Sequence, residues 1–83
     1  MKNMKTQVAQ PGQTNTVSFA NFAIVLEKEQ LHYYADGEIT RVMDVSYEFN
    51  MKDLFDLATR ISSKNNFGPV RFVNKKDVVK NAK

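Results

Sequence analysis

His32 is the chain's single histidine, set beside two tyrosines in the run LHYYADGEITRVMDVSYEF. A Ser-His-acid site would have to use it, because that chemistry needs an imidazole as proton carrier. A histidine alternating with apolar residues on a strand reads as a structural side chain. Asp44 and Glu48 fall on the same polar side of one expected strand, with Glu27 or Glu29 able to lie opposite. Paired carboxylates can hold magnesium or exchange a proton, but the same spacing describes a solvated strand face, which is the reading adopted. Cysteine is absent, which excludes disulfides and thiolate zinc sites. Gly12, Gly37 and Gly68 are isolated, so no glycine-rich phosphate loop is present. The sequence predicts no catalytic residue, no metal and no cofactor.

Basic residues are the other source of chemistry. Net charge is +3, but residues 6–63 carry −4 while residues 64–83 carry +5. Arg71, Lys75, Lys76 and Lys80 lie in or after the last expected strand, and aromatic residues recur through the sheet. Lysines holding phosphates beside aromatic platforms would suit single-stranded nucleic acid. GPVRFVNK does not match the aromatic RNA-binding signature, however, and the acidic strand face opposes phosphate. Nucleic-acid binding is therefore the alternative reading.

The elements that position these residues fit one small domain, because 83 residues leave room for a single modest core. Residues 1–15 are polar, with Pro11-Gly12 at their middle, and are expected to form a disordered or loosely docked arm. Residues 16–74 carry the periodic apolar pattern and residues 75–83 form a basic tail. That tail has Val78-Val79 as its apolar pair, and its removal is expected to spare the fold. Val17 and Phe19 alternate with polar neighbours; Phe22, Ile24 and Leu26 then alternate in the opposite phase. Residues 17–28 are thus one bent strand with a bulge near Ala20-Asn21, or two short strands.

Asp36-Gly37 signals a hairpin, because the turn demands positive φ. A three-residue loop at 35–37 pairs Tyr33 with Ile39 and gathers Leu31, Tyr33, Ile39, Met43, Val45 and Tyr47 on one face. This register is preferred to a two-residue loop, which pairs Tyr34 with Ile39. Residues 39–48 are then a long half-buried strand. Asn50 is placed to cap a helix with Asp53 at its third position, and Phe49 and Leu54 are placed as a hydrophobic staple. Met51, Leu54, Phe55, Ala58 and Ile61 fall at helical spacing. Asn65-Asn66 supplies a left-handed cap, and Gly68-Pro69 prevents continuation before a last strand at residues 70–74. The predicted fold is α+β: a small antiparallel sheet of about four strands, in the order β-β-β-α-β, with one helix packed on one face.

The strand end VSYEF, the helix KDLFDLA and the strand PVRFVNKKD after an asparagine-rich turn resemble the YonK-like family of small Bacillus prophage proteins. The resemblance covers about half the chain. It implies a phage- or prophage-encoded α+β subunit that assembles into an oligomer, and it brings no catalytic residues.

One short helix covers one face of such a sheet, which leaves Phe19, Phe22, Tyr34, Val42 and Val73 as candidates for contact with another chain. The leading expectation is a non-enzymatic interaction protein that oligomerises and binds, and through that modulates, a host protein. Met1 to Gln13 lacks the apolar core of a signal peptide, and no run approaches membrane-spanning length. A soluble protein of the bacterial cytoplasm is expected, with no membrane and no small-molecule substrate.

Overall fold

Side-chain alternation places Val17, Phe19, Phe22, Ile24, Leu26, Leu31 and Tyr33 on one face of a sheet, because consecutive hairpins with two-residue turns keep the phase. A computed structural model describes residues 14–80; most of the expected N-terminal arm and the last three residues lie outside the described part. Five strands form one antiparallel sheet in the order β4-β3-β2-β1-β5. They are β1 (Thr16–Phe19), β2 (Phe22–Glu27), β3 (Gln30–Ala35), β4 (Glu38–Asp44) and β5 (Arg71–Val73). Helix α1 (Met51–Asn65) joins β4 to β5, and a single turn, α2 (Lys75–Val78), follows β5. The architecture is the expected α+β class, with β5 paired antiparallel to β1.

Of the two readings of residues 17–28, two short strands is correct. Phe19 pairs with Phe22 and Val17 with Ile24 across a tight turn at Ala20-Asn21. Ala20 takes φ 52°, a left-handed conformation that L residues other than Asn and Asp seldom adopt. The opposite phases of the two segments are the two arms of a hairpin.

The Asp36-Gly37 turn has φ 53° and 84°, the left-handed pair that a two-residue hairpin loop needs. Ala35 pairs with Glu38 and Tyr34 with Ile39, so the three-residue loop is not formed. The register then shifts between Tyr33 and Tyr34: Tyr33 faces Arg41, His32 faces Val42 and Leu31 faces Met43. Thr40 is the extra residue. This bulge returns Met43 to the face of Leu31 and leaves Ile39 on the opposite face with Tyr34. β4 ends at Asp44, and Tyr47, expected in the core, stands 78% exposed in the following turn.

Helix α1 starts as its sequence demands. The Asn50 side chain accepts the Asp53 N–H at 3.0 Å, and the Asp53 carboxylate accepts the Asn50 N–H at 3.1 Å. Asn66 closes the helix at φ 57°. The buried stripe Leu54 and Ala58 meets Val17, Phe19, Ile24 and Leu31, with Phe49 and Phe55 at its margin. Phe55 stacks on Phe72 at 4.9 Å between centroids. Replacing Asn50 with Ala is expected to cost about 1 kcal/mol, because one orphan N–H loses its acceptor. A thermal melt of Asn50→Ala against the parent chain measures it, and coincident curves would count against the cap.

Candidate interaction surface

The second face of the sheet decides what this chain offers to other molecules. Register places Val73, Thr16, Val25, His32 and Val42 in one row across it, and Arg71, Ser18, Ala23, Tyr34 and Ile39 in the next. An antiparallel sheet with one apolar face can leave the other to water, but here both faces carry apolar residues.

The C-terminal segment covers half of this face. Val25, Thr16, Val73 and Ala23 are all buried, and so is Val79. Val78 and Val79 share a cleft with Ser18 and Ala23. The segment is fastened at both ends. The Lys75 ammonium donates to Glu27 at 2.5 Å, and the Lys80 backbone N–H donates to the Gly37 carbonyl at 2.8 Å. The Glu27 hydrogen bond raises the Lys75 ammonium above its ordinary range, against the opposing effect of partial burial. A raised ammonium stays charged through the ordinary lysine range, so on the alkaline side this attachment is lost only as pH climbs through the raised value. The expectation that the basic tail has few groups able to pack is corrected for residues 75–80, where Val79 is buried. Two adjacent valines suffice because the buried side chains of β1, β2 and β5 on this face, Thr16, Ala23, Val25 and Val73, are all small.

This placement also revises the basic candidates. Lys75 is tied to Glu27, and Lys80 lies 3.8 Å from Glu38. Arg71 and Lys76 are exposed. Two of the four cations thus already have carboxylate partners within the chain, so the group does not form a free basic track.

Over β4 and the adjoining part of β3, the described residues leave the second face largely open. Ile39 is 51% exposed and Val42 48%, with Tyr34 and His32 partly buried beside them. Of the five apolar interaction candidates, Tyr34 and Val42 sit in this patch. Phe19 and Val73 do not: they are 4% and 1% exposed. Phe19 is buried against α1, and Val73 belongs to the half of the second face that the C-terminal segment covers. Phe22 faces the helix side, in a cluster with Phe67 at 5.0 Å and Phe19 at 5.9 Å. Ile39 was expected in the core because the three-residue loop put it there; the two-residue loop, which pairs it with Tyr34, moves it out.

Of the residues weighed for catalysis, Glu27, Glu29, His32 and Asp44 line one open cleft at the β2–β3 turn, where Glu27 is already tied to Lys75. His32 Nε2 lies 3.1 Å from the Gln30 side-chain oxygen, and the Gln30 amide donates to Asp44 at 3.4 Å. Glu48 lies beyond the end of β4, in the turn before α1. Among the described residues no three histidine or acidic side chains gather in a metal-holding group. No helix among them is long and apolar enough to cross a membrane.

A further feature lies on the helix side of β4. Arg41 places its guanidinium 5.9 Å above the Tyr33 ring. Burial pushes the Tyr33 hydroxyl up in pKa, and Arg41 pulls it partly back. In the sequence Arg41 breaks the alternation of Ile39, Met43 and Val45, and that break was the available signal. Compared with family models, curated proteins and solved structures, the chain gives no match.

Proposed function

We propose that this chain is a non-enzymatic interaction protein whose docking surface is the uncovered β3–β4 half of its sheet. The carrying observation is the contrast between halves. β1 and β2 are covered by α1 on one face and by the C-terminal segment on the other, whereas Ile39 and Val42 on β4 stand half exposed beside Tyr34. Branched and aromatic side chains grouped at a sheet edge are the kind of surface that another chain covers. Assembly with a second copy, face to face through Ile39 and Val42, is the form of docking that the small core favours, and it leaves the outer edge of β4 open. A host protein is the further target to which the prophage resemblance of the helix–strand segment points.

Capture from nuclease-treated bacterial lysate tests this, using the parent chain and the double variant Ile39→Lys with Val42→Lys. Both substitutions are on exposed strand positions, and matching thermal melts establish that the fold is retained. The expected result is protein captured by the parent chain and lost in the variant. Light scattering on the same samples detects self-association as mass that the variant loses. Material that is nucleic acid, disappears on nuclease treatment and is indifferent to the double variant would overturn the proposal.

A further inference from the structure

Helix α1 rests on β1 and β2, and the sheet continues past it on the same side. Between them lies a cleft of about 250 Å³, walled by Phe22, Phe67 and Ile61 on one side and by Tyr33, Thr40 and Arg41 on the other. Ligand sites for drug-sized molecules run from roughly 300 to 1,000 Å³, so this space suits one large side chain better than a whole cofactor. Its walls are mainly apolar, and Arg41 supplies the charge.

Arg41 stands over the Tyr33 ring without a carboxylate partner among the described residues. Lys52, Lys75 and Lys80 each lie within 4.0 Å of a carboxylate, at 3.9, 2.5 and 3.8 Å, but among the described residues no carboxylate pairs with Arg41. Arg41 also sits on β4, one of the two edge strands, and among the described residues no strand pairs with its outer side. An apolar hole, an unpaired cation and a free strand edge therefore coincide on one short segment.

Resting on the reading of the β3–β4 half as a docking surface, we infer that β4 receives an extended peptide segment of a partner protein as an added strand. A large apolar side chain of that segment enters the cleft, and an acidic residue two positions away meets Arg41. The spacing follows from strand geometry, since residues two apart share a face. Backbone pairing supplies attachment, and the cleft and Arg41 supply selectivity. A second copy of β4 is the poorer occupant. Two-fold pairing centred on Arg41 sets the two guanidiniums against each other, and like charges directly opposite are unfavourable. Centred on Val42, it places Met43 rather than a carboxylate opposite Arg41.

The test is a backbone-amide NMR titration of the full chain with a capped hexapeptide, Thr-Phe-Thr-Glu-Val-Thr. Control peptides replace its Phe with Ala or its Glu with Lys. The expected result is movement of the amides of residues 39–44 together with those of Ile61 and Phe67, and weaker movement with the Ala control. Arg41→Glu, an exposed substitution checked by an unchanged melt, should weaken the Glu peptide by about tenfold, as losing a charge-assisted hydrogen bond does. The Lys peptide should then bind the Arg41→Glu chain better than it binds the parent. Unmoved β4 amides at millimolar peptide, or binding indifferent to the charge exchange, would overturn the inference. So would β4 shifts that track protein concentration without peptide, which place a second copy on the edge. If the peptide fails while the Ile39/Val42 variant still loses its captured protein, the peptide site falls and the docking surface stands. If both fail, both readings fall.

Discussion

A chain ending at Asn74 is expected to melt roughly 15–30 °C below the full chain, at about 4–8 °C for each kcal/mol lost from a domain of this size. Val79 is buried, and removing it uncovers Val25, Val73, Ala23 and Thr16 on the second face. Full burial of a valine side chain is worth about 1.5–3 kcal/mol. The loss of Val79 with the re-exposure beneath it then comes to about 3–5 kcal/mol. Against a total of about 0.05–0.15 kcal/mol per residue, that is a large part of the stability. A chain ending at Lys80 keeps both fastenings, Lys75 to Glu27 and Lys80 to Gly37, and should melt with the parent. The comparison is made by calorimetry on the three chains. Equal melting of the Asn74-terminated chain would show that the C-terminal segment contributes nothing to the fold.

Leu54→Ala is expected to cost about 3 kcal/mol, within the range of roughly 2–5 for a fully buried leucine that leaves a cavity. Leu54 is 0% exposed and occupies the centre of the α1–sheet contact, among Val17, Ile24 and Leu31. Its neighbours are branched or held in paired strands, so the site collapses poorly around the missing atoms. Urea unfolding should show a lower midpoint with an unchanged slope, because the same surface is exposed on unfolding. A cost below about 1 kcal/mol would mean that the helix is not seated on the sheet through this side chain.

The helix was legible because everything that defines it is local. Asn50, Asp53, the Leu54–Ala58 stripe and Asn66 lie within a few residues of the backbone groups they satisfy. The first hairpin was harder, since Ala20 gives no turn signal of its own. The phase reversal on either side of it was the true evidence, and it admitted a bulge as readily as a turn. At the second hairpin, Asp36-Gly37 announced the turn but not the register. The loop is two residues long, which puts Ile39 on the second face with Tyr34, and the bulge at Thr40, unmarked by glycine or proline, then returns Met43 to the face of Leu31. The expected face was wrong for that reason, and Tyr47 left the core when β4 stopped at Asp44.

The role of the C-terminal segment was hidden by its charge. Val78-Val79 among lysines looks like a solvated tail until the alternation of β2 is read on its second side. Ala23 and Val25 there, with Val73 from β5, form an apolar face that a helix on the first side cannot cover. That unpaired need was present in the sequence and predicted a second cover. The same oversight placed Val73 among residues free to bind, although the chain buries it. Val42 stands half exposed and Tyr34 partly buried because, among the described residues, the C-terminal segment ends its cover short of β4.

Backbone hydrogen exchange resolved along the five strands tests most directly the claim that one half of the sheet is closed by the chain itself and the other left open for a partner. Ladder amides in β1 and β2 should exchange slowest, through openings near the global unfolding free energy. The outward amides of β4, between Glu38 and Asp44, should exchange fast in the isolated chain and slow when a partner occupies the edge. Uniformly slow exchange across β4 in the dilute chain alone would contradict the account, because it would mean that the edge is already covered.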